Sequence, residues 1–106
     1  MDIADWRKKI DDIDRRLVEL LNERARYAQE IGKLKRGTSQ PVYEPDREKQ
    51  IHENIRRANQ GPLHDRDLSG IYERLIDVMR TIQKDEFVPK RAAGTGDTEL
   101  EAEIND

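Results

Sequence analysis

Three polar side chains stand where helical spacing asks for apolar ones. Ile3, Trp6, Ile10, Ile13, Leu17 and Leu20 recur at intervals of three or four residues, which is one face of a helix. Continuing the stripe by four reaches Arg24, by seven more Ile31, and by four more Lys35. A second stripe runs Leu75, Met79 and then Gln83. Burying an unpaired charge costs several kcal/mol. Two cations on the inward face of one helix therefore point to an anion held inside a helical bundle. Arg24 and Lys35 share that face, eleven residues and roughly 16 Å apart along the axis. Leaning inward, they suit opposite ends of a small dianion. Arg offers a planar fork to a carboxylate, and Lys offers a point charge to a lone oxygen.

Arg7 is a third candidate cation. It lies seventeen residues before Arg24, roughly 25 Å along the same rod and about 100° around it. That separation keeps it from the Arg24 pocket of its own chain. In an antiparallel dimer, Arg7 of one helix reaches the Arg24 pocket of the other. Each residue alone also has a plainer reading. An Arg on an apolar stripe commonly snorkels, and Lys35 sits where a cation favours the helix C-terminal dipole. Arg47 and Glu48 read singly as surface charges, Gln83 as a polar residue at the bundle edge, and Met79 as core. Tyr27, Tyr43 and Tyr72 read as packing residues, and His52 and His64 as surface.

Three helices must position these groups, so the fold class is all-α. The first runs from about Ile3 to about Arg36, with Asp2 or Asp5 as its cap and Gly37 just past its end. Such a rod is roughly 50 Å long, far longer than the rest of a chain this size can cover, so its stripe needs another subunit. Pro41 and Pro45 bound a loop over residues 37–45, and Pro45 fits the first position of the second helix, which runs to about Asn59. On it Arg47, Glu48, Ile51, Ile55 and Ala58 share a face. Gly61-Pro62 ends it. The third helix starts near Asp65 as N-cap and continues to about Phe87. Its inner face is read as Leu68, Ile71, Tyr72, Leu75, Met79, Ile82 and Gln83, with Gly70 allowing a close approach. This gives one helical domain over residues 1–89. Residues 90–106 are Gly-, Ala- and acid-rich and read as a flexible acidic tail in which Thr98 and Glu101 fit a capping box.

Composition narrows the function classes. The 106 residues contain no cysteine, so neither disulfides nor thiolate metal sites arise, and His52 and His64 are not spaced as a metal pair. No stretch approaches the roughly 20 apolar residues of a membrane span, and no signal-peptide pattern opens the sequence, which makes a cytoplasmic setting the expectation. The tail holds two of the 20 basic and five of the 23 acidic residues, so residues 1–89 balance at 18 of each. A neutral body without an aromatic stacking platform argues against nucleic-acid binding.

Taken together, the segments resemble the all-helical chorismate mutase family, the AroQ type. The resemblance covers about residues 3–87. It is carried by Arg7-Lys-Lys-Ile-Asp-Asp-Ile-Asp14, Leu20-Leu-Asn-Glu-Arg24, Ile31-Gly-Lys-Leu-Lys35, Pro41-Val-Tyr-Glu-Pro-Asp-Arg-Glu48 and Ile76-Asp-Val-Met-Arg-Thr-Ile-Gln83. The resemblance implies an intertwined homodimer of three-helix chains, with the small molecule chorismate as substrate, prephenate as product and no cofactor. By position, Arg24 grips one substrate carboxylate, and Arg7 of the partner chain grips the other. Lys35 and Gln83 hydrogen-bond the ether oxygen of the breaking C–O bond. Glu48 accepts from the ring hydroxyl, Arg47 adds positive charge, and Glu44 stands where the family often has Asp. Met79 is the main departure, since the family commonly carries a small hydroxyl residue there. The alternatives are an isochorismate-pyruvate lyase of the same fold and a non-catalytic helical dimer. The family is often fused to further enzymes, so a monofunctional protein or one excised domain is expected.

Overall fold

A computed structural model describes residues 1–87, in which three helices are arranged around one cleft. Helix α1 spans Ile3–Arg36, α2 spans Pro45–Ala58 and α3 spans Asp65–Asp85. Both acids proposed as the cap of α1 act together. Asp2 Oδ1 accepts from the Asp5 amide at 2.9 Å, and Asp5 Oδ2 accepts from the Asp2 amide at 3.1 Å. This reciprocal pair satisfies two of the four free amides at the helix start. Lys33, Lys35 and Arg36 populate the last turn, where cations oppose the dipole. Gly37 closes α1 without a left-handed turn, its φ being −84°.

Pro45 occupies the start of α2, where its missing N–H leaves no bond unmade. Asn59, just past the helix, organises the turn into α3. Its Oδ1 accepts from the Gly61 amide at 3.0 Å, and its Nδ2 donates to the Leu63 carbonyl and to Asp65 Oδ1. Gly61 sits at φ +77°, a conformation that suits glycine. Asp65 is the first helical residue of α3 rather than its cap. His64 holds the cap position without a side-chain bond.

Helix α3 packs against both α1 and α2. Its buried residues are Ile76 and Met79, and α1 contributes Ala28, Gly32 and Lys35. Of the inner face read from the sequence, Met79 is buried and Leu68, Tyr72, Leu75, Ile82 and Gln83 are half-buried; Ile71, 54% exposed, falls outside it, and Ile76 joins it as a buried residue. The close approach falls at Gly32, not Gly70. A Cβ on Gly32 would lie 2.9 Å from the Gln83 Cα, whereas one on Gly70 would meet nothing within 4 Å. His52 is half-buried rather than at the surface, its Nδ1 3.0 Å from Ser69 Oγ across α2 and α3.

The front of α1 has no cover among the described residues. Residues 1–22 are all exposed, including Trp6, Ile10, Ile13, Leu17 and Leu20. The radius of gyration is 16.9 Å, against about 13 Å for a compact 100-residue domain. The tail reading lies outside the described residues. No described helix is long and apolar enough to cross a membrane.

Candidate active site

A cleft of about 580 Å³ opens between the second half of α1, the loop before α2, the start of α2 and the end of α3. Seven of the eight residues singled out from the sequence line it: Arg24, Lys35, Glu44, Arg47, Glu48, Met79 and Gln83. Arg7, at the far end of α1, does not, as its separation from Arg24 requires.

Lys35 is the buried charge among the described residues, 4% exposed. Its Nζ donates to Gln83 Oε1 and to Glu44 Oε1, each at 3.0 Å, and to the Val42 carbonyl at 3.4 Å. An ammonium has three N–H donors, so the burial leaves no proton unpaired, which is the condition for tolerating it. The longest of the three bonds, to Val42, is the weakest. Glu44 is largely at the surface, with 45% of its side chain exposed, and it reaches inward to neutralise the lysine. Gln83 turns its carbonyl oxygen to Lys35, so its amide N–H groups remain as donors toward the cleft. Gly32 makes this pairing possible. Without a Cβ, α1 approaches the α3 backbone at Gln83 closely.

Arg80 is the residue that sequence reading missed. Its Nε and Nη2 both donate to Glu48 Oε2, at 3.2 and 2.6 Å. Its Nη1 donates to Asp77 Oδ1 at 3.0 Å, and its guanidinium carbon lies 5.2 Å from the Tyr43 ring centroid. The bond to Glu48 raises the Arg80 pKa above its ordinary value, and Asp77 and Tyr43 add to the effect. The signal that leads to Arg80 is its place one turn after Ile76. Tyr27, read as a packing residue, also lines the cleft, and its phenol, donating to Glu23 Oε2 at 3.0 Å, is held above its usual pKa by that bond.

Four cations line the cleft, namely Arg24, Lys35, Arg47 and Arg80, against the two carboxylates of Glu44 and Glu48. The balance is two positive charges. Lys35 pairs with Glu44 and Arg80 with Glu48. Arg47 bonds only the neutral Gln50, at 2.6 Å, and Arg24 has no ion-pair partner among the described residues. Met79 is 5% exposed and supplies an apolar wall. The arrangement fits a dianion with a central oxygen near Lys35 and Gln83.

Comparison with known proteins identifies the family and the fold. The family model described as chorismate mutase type II matches residues 6–84. A bifunctional chorismate mutase/prephenate dehydratase of Aquifex aeolicus is 36% identical over 87 residues, covering 78% of this chain and 24% of that protein. The chain thus spans about a quarter of the length of that relative. A chorismate mutase of Methanocaldococcus jannaschii is 32% identical over 83 residues, covering 77% of this chain and 84% of that protein. The crystal structure of a chorismate mutase from Helicobacter pylori in complex with prephenate superposes with a TM-score of 0.72 at 27% identity, covering 79% of this chain and 91% of that chain.

Proposed function

The chain belongs to the chorismate mutase type II family, and we propose that it converts chorismate to prephenate in the synthesis of aromatic amino acids. The observation that carries this reading is the buried Lys35 ammonium held 3.0 Å from the Gln83 carboxamide, in a cleft with two positive charges to spare. The reaction is a unimolecular pericyclic rearrangement: one C–O bond breaks as one C–C bond forms. It needs no nucleophile or general base. Two tasks fall to the protein.

The first task is orientation. Chorismate is a flexible dianion that reacts only from a compact diaxial conformer. Fixing such a conformer removes an entropic part of the barrier. Arg24 takes one carboxylate with its planar fork. Arg7 of a second chain takes the other, and Arg47 adds positive potential at the mouth. Glu48 accepts from the ring hydroxyl, Glu44 stays with Lys35 at the loop side, and Met79 packs against the ring. A homodimer supplies the second Arg7. The wholly exposed apolar stripe of residues 3–20 is what such a dimer would bury.

The second task is electrostatic. Negative charge grows on the ether oxygen as the C–O bond breaks. Lys35 and the Gln83 amide converge there as donors set before the reaction begins, and one such donor is worth roughly 3 kcal/mol. For Lys35 to reach the oxygen it gives up one bond, and the 3.4 Å bond to Val42 is the weakest to release. We propose residues 1–89 as the catalytic domain and the cytoplasm as its setting.

Product analysis tests the reading. Purified protein is offered chorismate and, separately, isochorismate. Prephenate from chorismate supports it. Pyruvate released from isochorismate, with chorismate untouched, replaces the mutase by the lyase.

A further inference from the structure

Arg80 has no task in the mechanism above, yet its guanidinium makes three hydrogen bonds, as many as the Lys35 ammonium. We propose that Arg80 is a positioning residue that holds the Glu48 carboxylate in place and through it sets recognition of the substrate's ring hydroxyl. This rests on the chorismate mutase reading and deepens it.

Two N–H groups on one edge of the guanidinium, Nε and Nη2, converge on the same carboxylate oxygen, Glu48 Oε2. Oε1 takes no hydrogen bond among the described residues and is left to accept. Charge-assisted bonds of this kind are short and directional, so Glu48 Oε2 is anchored before substrate arrives. The arginine is held in turn. Nη1 bonds Asp77 one turn earlier on α3, and the guanidinium lies near the ring of Tyr43 in the loop before α2. Arg80 thereby ties α3 to the loop and to α2, the segments that carry Glu44, Arg47 and Glu48. Both partners are about three-quarters buried, the side chains of Arg80 and Glu48 being 27% and 25% exposed, which limits other rotamers.

A direct grip on a substrate carboxylate fits Arg80 less well. The donor edge that would take it is occupied by Glu48, and the opposite nitrogen by Asp77. Arg24, with no carboxylate partner among the described residues, is the better fork. A plain clip between α2 and α3 is the other competing role, and it makes different predictions. A clip would serve every substrate alike. A positioning residue acts only through Glu48 and only where a hydroxyl is present.

The test compares chorismate with an analogue in which hydrogen replaces the ring hydroxyl. kcat/KM and thermal unfolding are measured for the wild type, Arg80→Met, Arg80→Lys, Glu48→Gln and the double variant Arg80→Met with Glu48→Gln. The expected result is a loss of about tenfold on chorismate in Arg80→Met, a change under about twofold on the analogue, and no further loss when Glu48 is already Gln. Arg80→Lys keeps the charge but loses the two-donor edge, and should recover part of the loss. If Arg80→Met does not fold, Arg80→Lys carries the same comparison, with a smaller loss confined to chorismate. Equal losses on both substrates, or losses that multiply with Glu48→Gln, overturn the proposal while leaving the mutase reading intact. A wild type that leaves chorismate unconverted overturns the mutase reading, and this proposal with it.

Discussion

Gly32→Ala isolates the contribution of helix spacing to the site. The added Cβ would lie 2.9 Å from both the Cα and the carbonyl oxygen of Gln83, and 3.2 Å from Glu86 Cγ. Two of these three are backbone atoms, so no rotamer change relieves them. Ordinary carbon contacts sit at about 3.5–4.0 Å, so α3 must retreat by at least about 0.6 Å. The Lys35–Gln83 bond, now 3.0 Å, would stretch to about 3.6 Å and cease to be a hydrogen bond. Misplacement on this scale lowers rates by about 10- to 100-fold. The stability change is smaller. Overpacking costs about 1–3 kcal/mol, and replacing glycine by alanine in a helix returns about 1 kcal/mol. A net loss of about 0–2 kcal/mol lowers Tm by only a few degrees. Initial rates of chorismate loss and thermal unfolding, measured on one preparation, separate the two effects. A Gly32→Ala protein with wild-type kcat would show that the spacing of α1 and α3 at Gln83 does not set the rate. Gly70→Ala is the control: with nothing within 4 Å of the new Cβ, it should keep its rate and gain up to about 1 kcal/mol.

Three further outcomes are expected. Mixing Arg7→Ala chains with Lys35→Ala chains, after unfolding and refolding together, should restore about a quarter of wild-type activity, because half the dimers are mixed and each has one intact site; no recovery means that Arg7 does not act across subunits. Asp2 has its carboxyl pKa lowered by the Asp5 amide bond. The cap therefore stabilises above the ordinary carboxylate range and fades as pH falls through the lowered value. Asp2→Ala should lower Tm at neutral pH and converge with wild type in strong acid, and a gap that persists in strong acid contradicts the capping role. Gln83 is neutral at all working pH, so turnover should persist at pH 7; a rate that appears only below about pH 5 would contradict Gln83 as a ready donor.

What the sequence made legible follows from the range of each interaction. The bounds of α1 were readable because a three-four spacing, an acidic cap and a terminal glycine are all local. Arg24, Lys35, Met79 and Gln83 were readable because each interrupts or continues an apolar stripe. Arg80 was not, because its partner Glu48 lies 32 residues away on another helix, and the stripe drawn through Leu75, Met79 and Gln83 left it to one side. The two helical glycines look alike in sequence. Only the approach of α3 shows that Gly32 is crowded and Gly70 is open. Ile76 joined the inner face of α3, and Ile71 fell outside it, because α3 must pack on α1 and α2 at once. Arg7 lies outside the cleft of its own chain, and a contact made across two chains would leave no mark in local spacing.

In the proposed mechanism, preorganised donors at the ether oxygen, Lys35 first among them, drive the rearrangement. The most direct measurement is the loss of chorismate absorbance with purified wild-type and Lys35→Ala proteins, chelator present and no cofactor added. This mechanism requires saturable prephenate formation by the wild type, and a kcat lower by about two orders of magnitude in a folded Lys35→Ala protein. A Lys35→Ala protein turning over at the wild-type rate would contradict it.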